Sequence, residues 1–339
     1  MPQIMMTAEQ REFADPTIPT IATEAVPTCD ICGGMDAEPF ASGRDFELRT
    51  CRNEWTFVRC RHCAHVWLDP RPAVATLPTI YPKSYYAYSY ETTIPWLARA
   101  GKALLDRRKI SSIVREVGRP VTSFADIGCG TGRYLRAMAD AGVPRARIHG
   151  LELDAQVVTR LREEGYSAHH ARVETCEGIP ERSLDLATMF HVIEHVESPA
   201  AVLDRVGRWL VPGGILALET PNLDSLDARR HRARWWGGYH FPRHWHLFTP
   251  ETIQALLRRH GFEPFAVRYQ TGHSFWMYTF HHRLRYDGIG RPEIARWFDP
   301  MHSVGFLAGF TAFDLLRAAF GARTSAMLVL ARRSTSEGN

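Results

Sequence analysis

From about residue 120 the sequence predicts an α/β fold with a doubly wound sheet, and three observations carry that prediction. First, an apolar stretch ends in an acid and then in alternating glycines: Phe124-Ala125-Asp126-Ile127-Gly128-Cys129-Gly130-Thr131-Gly132. Apolar residues recur at Leu135, Met138 and Ala139 with helical spacing, which reads as strand, tight loop, helix. Second, the next apolar segment ends in a carboxylate, at His149-Gly150-Leu151-Glu152. Third, strand-like and helix-like segments go on alternating downstream. Glycines let a backbone turn sharply and approach a ligand with no side chain in the way. A carboxylate ending the second strand can accept hydrogen bonds from both ribose hydroxyls of a nucleoside. Together the two segments predict a nucleoside-cofactor site.

The elements follow in order. Residues 1–26 are rich in Thr, Pro, Ala and Glu without periodicity and read as a mobile leader. Residues 27–75 hold most of the cysteines and are too few for a large core, which predicts a small metal-stabilised module. Residues 76–118 contain the Tyr-rich run from Tyr81 to Tyr90 and a helix over 95–117. The domain proper spans 119–335, with strands at 121–127, 147–152, 184–190 and 214–220. Ser198-Pro199 caps a helix over 199–210, and Pro212-Gly213-Gly214 turns into the next strand. Thr249-Pro250-Glu251 opens a helix that Gly261 closes. Strands at 263–269 and 325–331 finish the sheet, leaving 270–324 as a helical insertion before the last strand. Within it, residues 303–320 form an apolar helix interrupted by Asp314 and Arg317. It reads as a buried helix, with a lid or a surface for a lipid-linked acceptor as the second reading.

A net charge of +4 over 339 residues, without a long Lys/Arg block, gives little support to extended nucleic-acid binding. No uninterrupted apolar run is long enough to span a bilayer. Neither does the N-terminal stretch have the basic start and apolar core of a signal peptide. The cytoplasm is the default compartment, where the seven cysteines are thiols or metal ligands rather than disulfides. Cys29-x2-Cys32 and Cys60-x2-Cys63 can supply four thiolates to one tetrahedral zinc, leaving no open position, so the zinc is structural. Cys51 is a spare thiol. A redox dithiol needs one pair beside a βαβ unit, which this region lacks.

The glycine spacing narrows the cofactor. A dinucleotide loop is G-x-G-x-x-G, whereas here the spacing is G-x-G-x-G and Arg133 follows. The pattern resembles the first motif of class I S-adenosylmethionine-dependent methyltransferases. That resemblance implies a Rossmann-like sheet ending in an antiparallel hairpin. It places Gly128, Gly130 and Gly132 under the amino-acid part of the cofactor, with Asp126 supporting the loop and Glu152 on the ribose. The segment from Asp185 to Val196 ends a strand in the polar cluster His191, Glu194 and His195, where ligands bind in doubly wound folds. It resembles the fourth motif of ubiquinone-biosynthesis-type O-methyltransferases, as do Leu210-Val211-Pro212-Gly213-Gly214 and Glu219-Thr220-Pro221-Asn222. This implies that Phe190 lines the cofactor and that the Glu194-His195 pair lies by the acceptor. The likeness covers roughly residues 120–270.

Two departures stand out. Arg172 occupies the place of an adenine-binding acid, which leaves the Val173 backbone or Glu174 as adenine contacts. Some relatives bind a divalent metal through E-x-x-E-H plus a later histidine; here His191 replaces the first glutamate. Phe241-Pro242-Arg243-His244-Trp245-His246 resembles a segment of small-RNA terminal ribose 2′-O-methyltransferases. His191, Glu194, His195 and His246 could thus form a mixed N/O site for a second divalent metal. Core histidines and a metal-free general base are the alternatives. Trp235, Trp236, Tyr239 and Phe241, with Tyr85, Tyr86, Tyr88 and Tyr90, form either a stacking wall or core packing.

With its zinc-ribbon-like module, the chain resembles bacterial sugar and secondary-metabolite methyltransferases. The resemblance implies transfer to a small-molecule, sugar or lipid-linked acceptor, with peripheral membrane contact as one option. His195 favours a hydroxyl, because an imidazole can take its proton near neutral pH. RNA ribose methylation is the second reading. A non-catalytic zinc-ribbon interaction protein with a degenerate cofactor domain is the third.

Overall fold

A computed structural model describes residues 6–82, 96–287, 292–300 and 303–335, so the tyrosines at 85, 86, 88 and 90 lie outside the described residues. The chain divides into two units. Unit 1 comprises residues 1–82, 221–253 and 268–327; unit 2 comprises 83–220, 254–267 and 328–339.

Unit 2 carries a seven-stranded sheet. Its strands are β1 (Phe124–Ile127), β2 (Ile148–Glu152), β3 (Ser167–His170), β4 (Leu184–Phe190), β5 (Leu210–Pro221), β6 (Phe262–Gln270) and β7 (Ala326–Arg333), in the spatial order β6-β7-β5-β4-β1-β2-β3. The run β5-β4-β1-β2-β3 is parallel throughout. Parallel strands are covered on both faces and read as continuous apolar runs, as Phe124, Ala125 and Ile127 in β1 and Leu184, Leu186, Ala187 and Met189 in β4 do. The chain order reverses between β1 and β4, which opens a crevice at their carboxyl ends. Helices α1 (Trp96–Val117), α2 (Arg133–Asp140), α3 (Ala155–Glu163) and α4 (Pro199–Trp209) belong to this unit. Ile113, Leu135 and Leu161 pack with Phe124, Ile148 and Leu186 in one core. Ser198 caps α4 by accepting from the Ala201 N–H at 3.1 Å. The expected strand at 121–127 starts later, at Phe124, because the Thr122 and Ser123 N–H groups turn to the Asp185 carboxylate. The expected strand at 214–220 starts earlier, because a register shift between Leu210 and Ile215 keeps Pro212-Gly213-Gly214 inside it.

Unit 1 contains a four-stranded sheet in the order His246–Leu247, Val66–Leu68, Trp55–Cys60, Ala37–Gly43, antiparallel at every pairing. The segment around 241–247, assigned from sequence to the methyltransferase domain, therefore joins the cysteine module. Its side chains drive this: Tyr239, Phe241, Trp245 and Leu247 share a core with Trp55, Phe57 and Leu68. The expected mobile leader is also structured from Thr7. Thr7 and Gln10 form a capping box for the helix Ala8–Phe13, and Phe13 packs with Phe46 and Tyr286. Thr23–Glu24 pairs with Arg71–Pro72.

The helix Val304–Ala319 reverses the expectation of burial. Its buried residue is Asp314, which accepts from the Gly272 N–H and the Trp276 indole and pairs with Arg317. Val304, Phe313, Leu315 and Leu316 are exposed. These polar bonds, together with the stacking of Phe310 on Trp276 and Phe280, set which side of this helix faces inward. Among the described residues no helix is long and apolar enough to cross a membrane.

Candidate cofactor site and active site

The loop after β1 is built from backbone that only glycine adopts readily. Gly128, Gly130 and Gly132 have φ of +70°, +50° and +84°. The Gly128 and Cys129 N–H groups donate to the Leu151 carbonyl at 2.9 and 3.0 Å, tying the loop to β2. A Cβ on Gly128 would lie 2.5 Å from Val192 Cγ2, and one on Gly132 would lie 2.5 Å from Leu161 Cδ2. A Cβ on Gly130 would meet nothing within 4 Å. The outer glycines are thus packed in place, and the middle one faces open space. That is the shape of a cradle.

Glu152 closes the cradle from β2. Its Oε2 accepts from the Gly130 N–H at 2.9 Å, and its Oε1 accepts from Leu153 and Asp154 at 2.7 and 3.3 Å. A carboxylate offers about four acceptor positions, so three N–H groups leave room for a ligand hydroxyl. Asp126 is buried and accepts from the Thr188 hydroxyl of β4 at 2.6 Å. Burial outweighs that bond and the nearby cations and pushes its carboxyl up to about 7. Asp126 therefore supports the loop by joining β1 to β4. Val173 is buried in a short helical turn, and Glu174 faces Arg172 at 3.6 Å. The Phe190 ring meets Tyr134 edge-on and lies under the Lys109 ammonium, 4.0 Å from the ring centre.

The carboxyl ends of β4 and β5 carry alternating charges. His191 has φ of +57°. Its Nδ1 lies 3.1 Å from Glu194 Oε1 and its Nε2 lies 3.3 Å from Glu219 Oε1. Partial desolvation works against its charge, though 42% of the side chain is exposed, and the two carboxylates prevail and raise its pKa to about 9. Glu219 in turn pairs with Lys109. Burial opposes its ionisation, yet Lys109 and His191 hold it down at about 2. Glu194 is fully buried and accepts from the Thr220 hydroxyl at 3.1 Å. His195 follows in the turn Ile193–His195 and is half-buried. Sequence reasoning gave no role to Lys109, Thr188, Glu219 or Thr220. Glu219 was legible in principle, because it pairs in register with Phe190 across two parallel strands that end together. Lys109 carried no signal among the many charges of its helix.

Unit 1 holds the remaining residues of interest. The four sulfurs of Cys29, Cys32, Cys60 and Cys63 lie within 4.8 Å of one another. Cys29 and Cys63 are 3.4 Å apart, and Cys32 and Cys60 are 3.5 Å apart. Zinc–sulfur bonds of about 2.3 Å in a tetrahedron set sulfurs roughly 3.8 Å apart, so the cluster fits one zinc ion. Cys51 is buried in the aromatic core. Arg243 forms a fully buried fork with Asp45, at 3.0 and 2.9 Å, and donates to the Ile80 carbonyl. His244 bonds the Gly238 carbonyl. His246 stacks on His65 with a ring nitrogen contact of 3.1 Å. Trp236, Tyr239 and Phe241 are buried, so they are core packing rather than a stacking wall.

A family model described as a methyltransferase domain matches residues 90–267. An "uncharacterized 37.1 kDa protein" in a transposon of Streptomyces fradiae is 35% identical over 112 residues, covering 32% of each chain. A ubiquinone biosynthesis O-methyltransferase of Psychrobacter arcticus is 26% identical over 167 residues, covering 46% of this chain and 59% of the relative. The chain thus spans less than two thirds of the length of these relatives. A solved Thermotoga maritima structure, titled a SAM-dependent methyltransferase and possible histamine N-methyltransferase, aligns over 76% of this chain and 100% of its own. Its identity is 15% and its TM-score 0.46.

Proposed function

Because this chain belongs to the methyltransferase-domain family, we propose that it transfers the methyl group of S-adenosylmethionine to a small-molecule or glycan-precursor acceptor, at a hydroxyl. The observation that carries the reading is the Gly130 cradle closed by Glu152. Gly128, Gly130 and Gly132 would lie under the amino-acid part of the cofactor, and the open acceptor position of Glu152 would take a ribose hydroxyl. The cofactor's sulfonium supplies an activated methyl group. What remains for the chain is to align the acceptor and to take its proton.

His195 is the base in this reading. His191 is unsuited, because two carboxylates keep it protonated at neutral pH. It acts instead as a fixed positive charge that holds Glu194 and Glu219 in place. His191 as a metal ligand would forfeit both contacts. The cysteine cluster is assigned a structural zinc. The buried fork of Arg243 and the paired His246 weigh against RNA ribose methylation, since these residues bond within unit 1. The test is calorimetry with S-adenosylhomocysteine, followed by incubation of hydroxylated acceptors with methyl-labelled cofactor. Label transfer to oxygen supports the proposal. Absence of cofactor binding by the folded protein, or transfer only to carbon or nitrogen, would overturn it.

A further inference from the structure

The helix Val304–Ala319 of unit 1 carries an apolar face that the described residues leave open to solvent. Val304, Phe306, Phe313, Leu315, Leu316 and, at the C-cap, Phe320 are between 41% and 82% exposed. Gly305, Ala308, Gly309, Ala312 and Ala319 are exposed with them. At about 100° per residue these positions sweep without a gap over roughly 200° of the helix, and none of them is polar. The charges of the helix, Asp314 and Arg317, bond each other on its inward side.

The extent of the face matches one side of a protein–protein contact. Taking a fully exposed aromatic side chain as about 150–250 Å², the six large residues leave roughly 700 Å² in water. The largest apolar patch on a typical monomer is about 300–600 Å², and each partner of a stable dimer covers about 800 Å². The order of sizes along the face says which partner fits. Gly305, Gly309, Ala312, Leu316 and Phe320, spaced three or four apart, form its midline. The first half of that line is small and the second half is large. A Cβ on Gly305 or Gly309 would meet nothing within 4 Å, so the first half is a shallow groove. Two copies laid antiparallel, with the twofold axis between Ala312 and Phe313, set Leu316 of each over Gly309 of the other. The same axis sets Phe320 over Gly305. An isologous contact requires this reciprocity, and small residues opposite large ones let two helices approach closely. A bilayer surface fits less well. Helices that lie in it carry Lys and Arg on their polar face, whereas the one arginine here is bonded to Asp314.

We infer that this face docks a second copy of the chain, helix against antiparallel helix, in a twofold dimer. The contact is independent of the methyl-transfer reading, because its test measures assembly alone.

The test is sedimentation equilibrium of the full chain at micromolar concentration, with circular dichroism as the control for folding. Wild type should be a dimer. Leu316→Glu puts a charge on the midline and Gly309→Leu fills the groove, and each should weaken dimerisation about tenfold or more in a folded chain. Gly309→Leu also separates the occupants, because added apolar volume blocks a second helix but favours a lipid surface. Copper-catalysed oxidation of Ala312→Cys should give a covalent dimer. Gly305→Cys should give no more than the wild-type blank, since antiparallel copies hold position 305 about 22 Å from its mate. A monomeric wild type, a dimer indifferent to both substitutions, or equal cross-linking of the two cysteine variants would each overturn the inference. Monomers that float with phosphatidylglycerol vesicles, Gly309→Leu at least as well as wild type, would overturn it in favour of a lipid surface.

Discussion

Replacing Glu152 by alanine separates the cofactor role of this side chain from its structural one. In the structure its carboxylate accepts three backbone N–H groups, from Gly130, Leu153 and Asp154. Those donors lie at the protein surface, where water can replace the lost acceptor, so stability should fall by only about 1 kcal/mol. The ribose contact is different. It would be a bond to a charged acceptor, worth about 1.5–3 kcal/mol, or roughly 10- to 150-fold in affinity. Releasing the Gly130 N–H also loosens the cradle and adds to the loss. The assay is calorimetric titration of S-adenosylhomocysteine into wild type, Glu152→Ala and Glu152→Gln, with thermal melts of each. The glutamine variant keeps one carbonyl acceptor without charge and should fall between the other two. Wild-type affinity in a folded Glu152→Ala protein would refute the reasoning. A melt as low as that of a core deletion would show instead that Glu152 chiefly holds the fold.

The glycines should divide in the same way. Gly132→Ala, with its Cβ 2.5 Å from Leu161, should lose about 1–3 kcal/mol of stability. Gly130→Ala, facing open space, should lose only about 1 kcal/mol from its positive φ, yet bind the cofactor more weakly; melts and titrations showing the opposite order would contradict the cradle. Purified protein should contain about one zinc per chain, lost in Cys60→Ser, and metal analysis finding full zinc in that variant would exclude the site. His195→Ala should lower turnover by ~10²–10⁴-fold with little change in cofactor affinity, whereas normal turnover would remove the base. The His191 imidazole should titrate near pH 9 in a proton or nitrogen NMR series. Its folded pKa is raised, so its stabilising contribution is complete below pH 6.5 and disappears as pH rises through about 9; a midpoint at 6.5 would show that the two carboxylates do not hold its charge.

The parallel core was legible in the sequence because both of its signals are local. The run from Phe124 to Gly132 encodes strand and turn within nine residues, and Leu135, Met138 and Ala139 mark the helix that follows directly. The strand at 184–190 announces itself by apolar residues, broken only by Thr188, between Asp185 and the polar cluster. What the sequence did not show depends on long-range partners. Tyr239, Phe241 and Trp245 look like any aromatic run until a sheet nearly two hundred residues earlier supplies their core. Arg243 resembles a recognition residue until Asp45 is found beside it. The exposed helix Val304–Ala319 misleads for a related reason. Its one buried residue, Asp314, bonds to Gly272 and Trp276, and Phe310 stacks on Trp276 and Phe280, contacts that no periodicity records.

The two histidines at the end of β4 show how neighbours, rather than residue type, assign chemistry. His191 and His195 are four positions apart and would serve equally as bases by composition. The parallel register brings Glu219 beside the end of β4, and the turn at Ile193–His195 brings Glu194 back toward it. Both carboxylates therefore meet His191 and stabilise its protonated form. A protonated imidazole can donate but cannot accept a proton, so the same contacts that order this end of the sheet withdraw His191 from base catalysis. Lys109 reinforces the arrangement from α1, since it helps to keep Glu219 ionised and available to His191. Replacing Lys109 by methionine takes a cation from Glu219 but leaves both carboxylates on His191, so the His191 midpoint in an NMR titration should stay at about 9 or rise; a midpoint near 6.5 would show instead that Glu219 needs Lys109 to stay ionised.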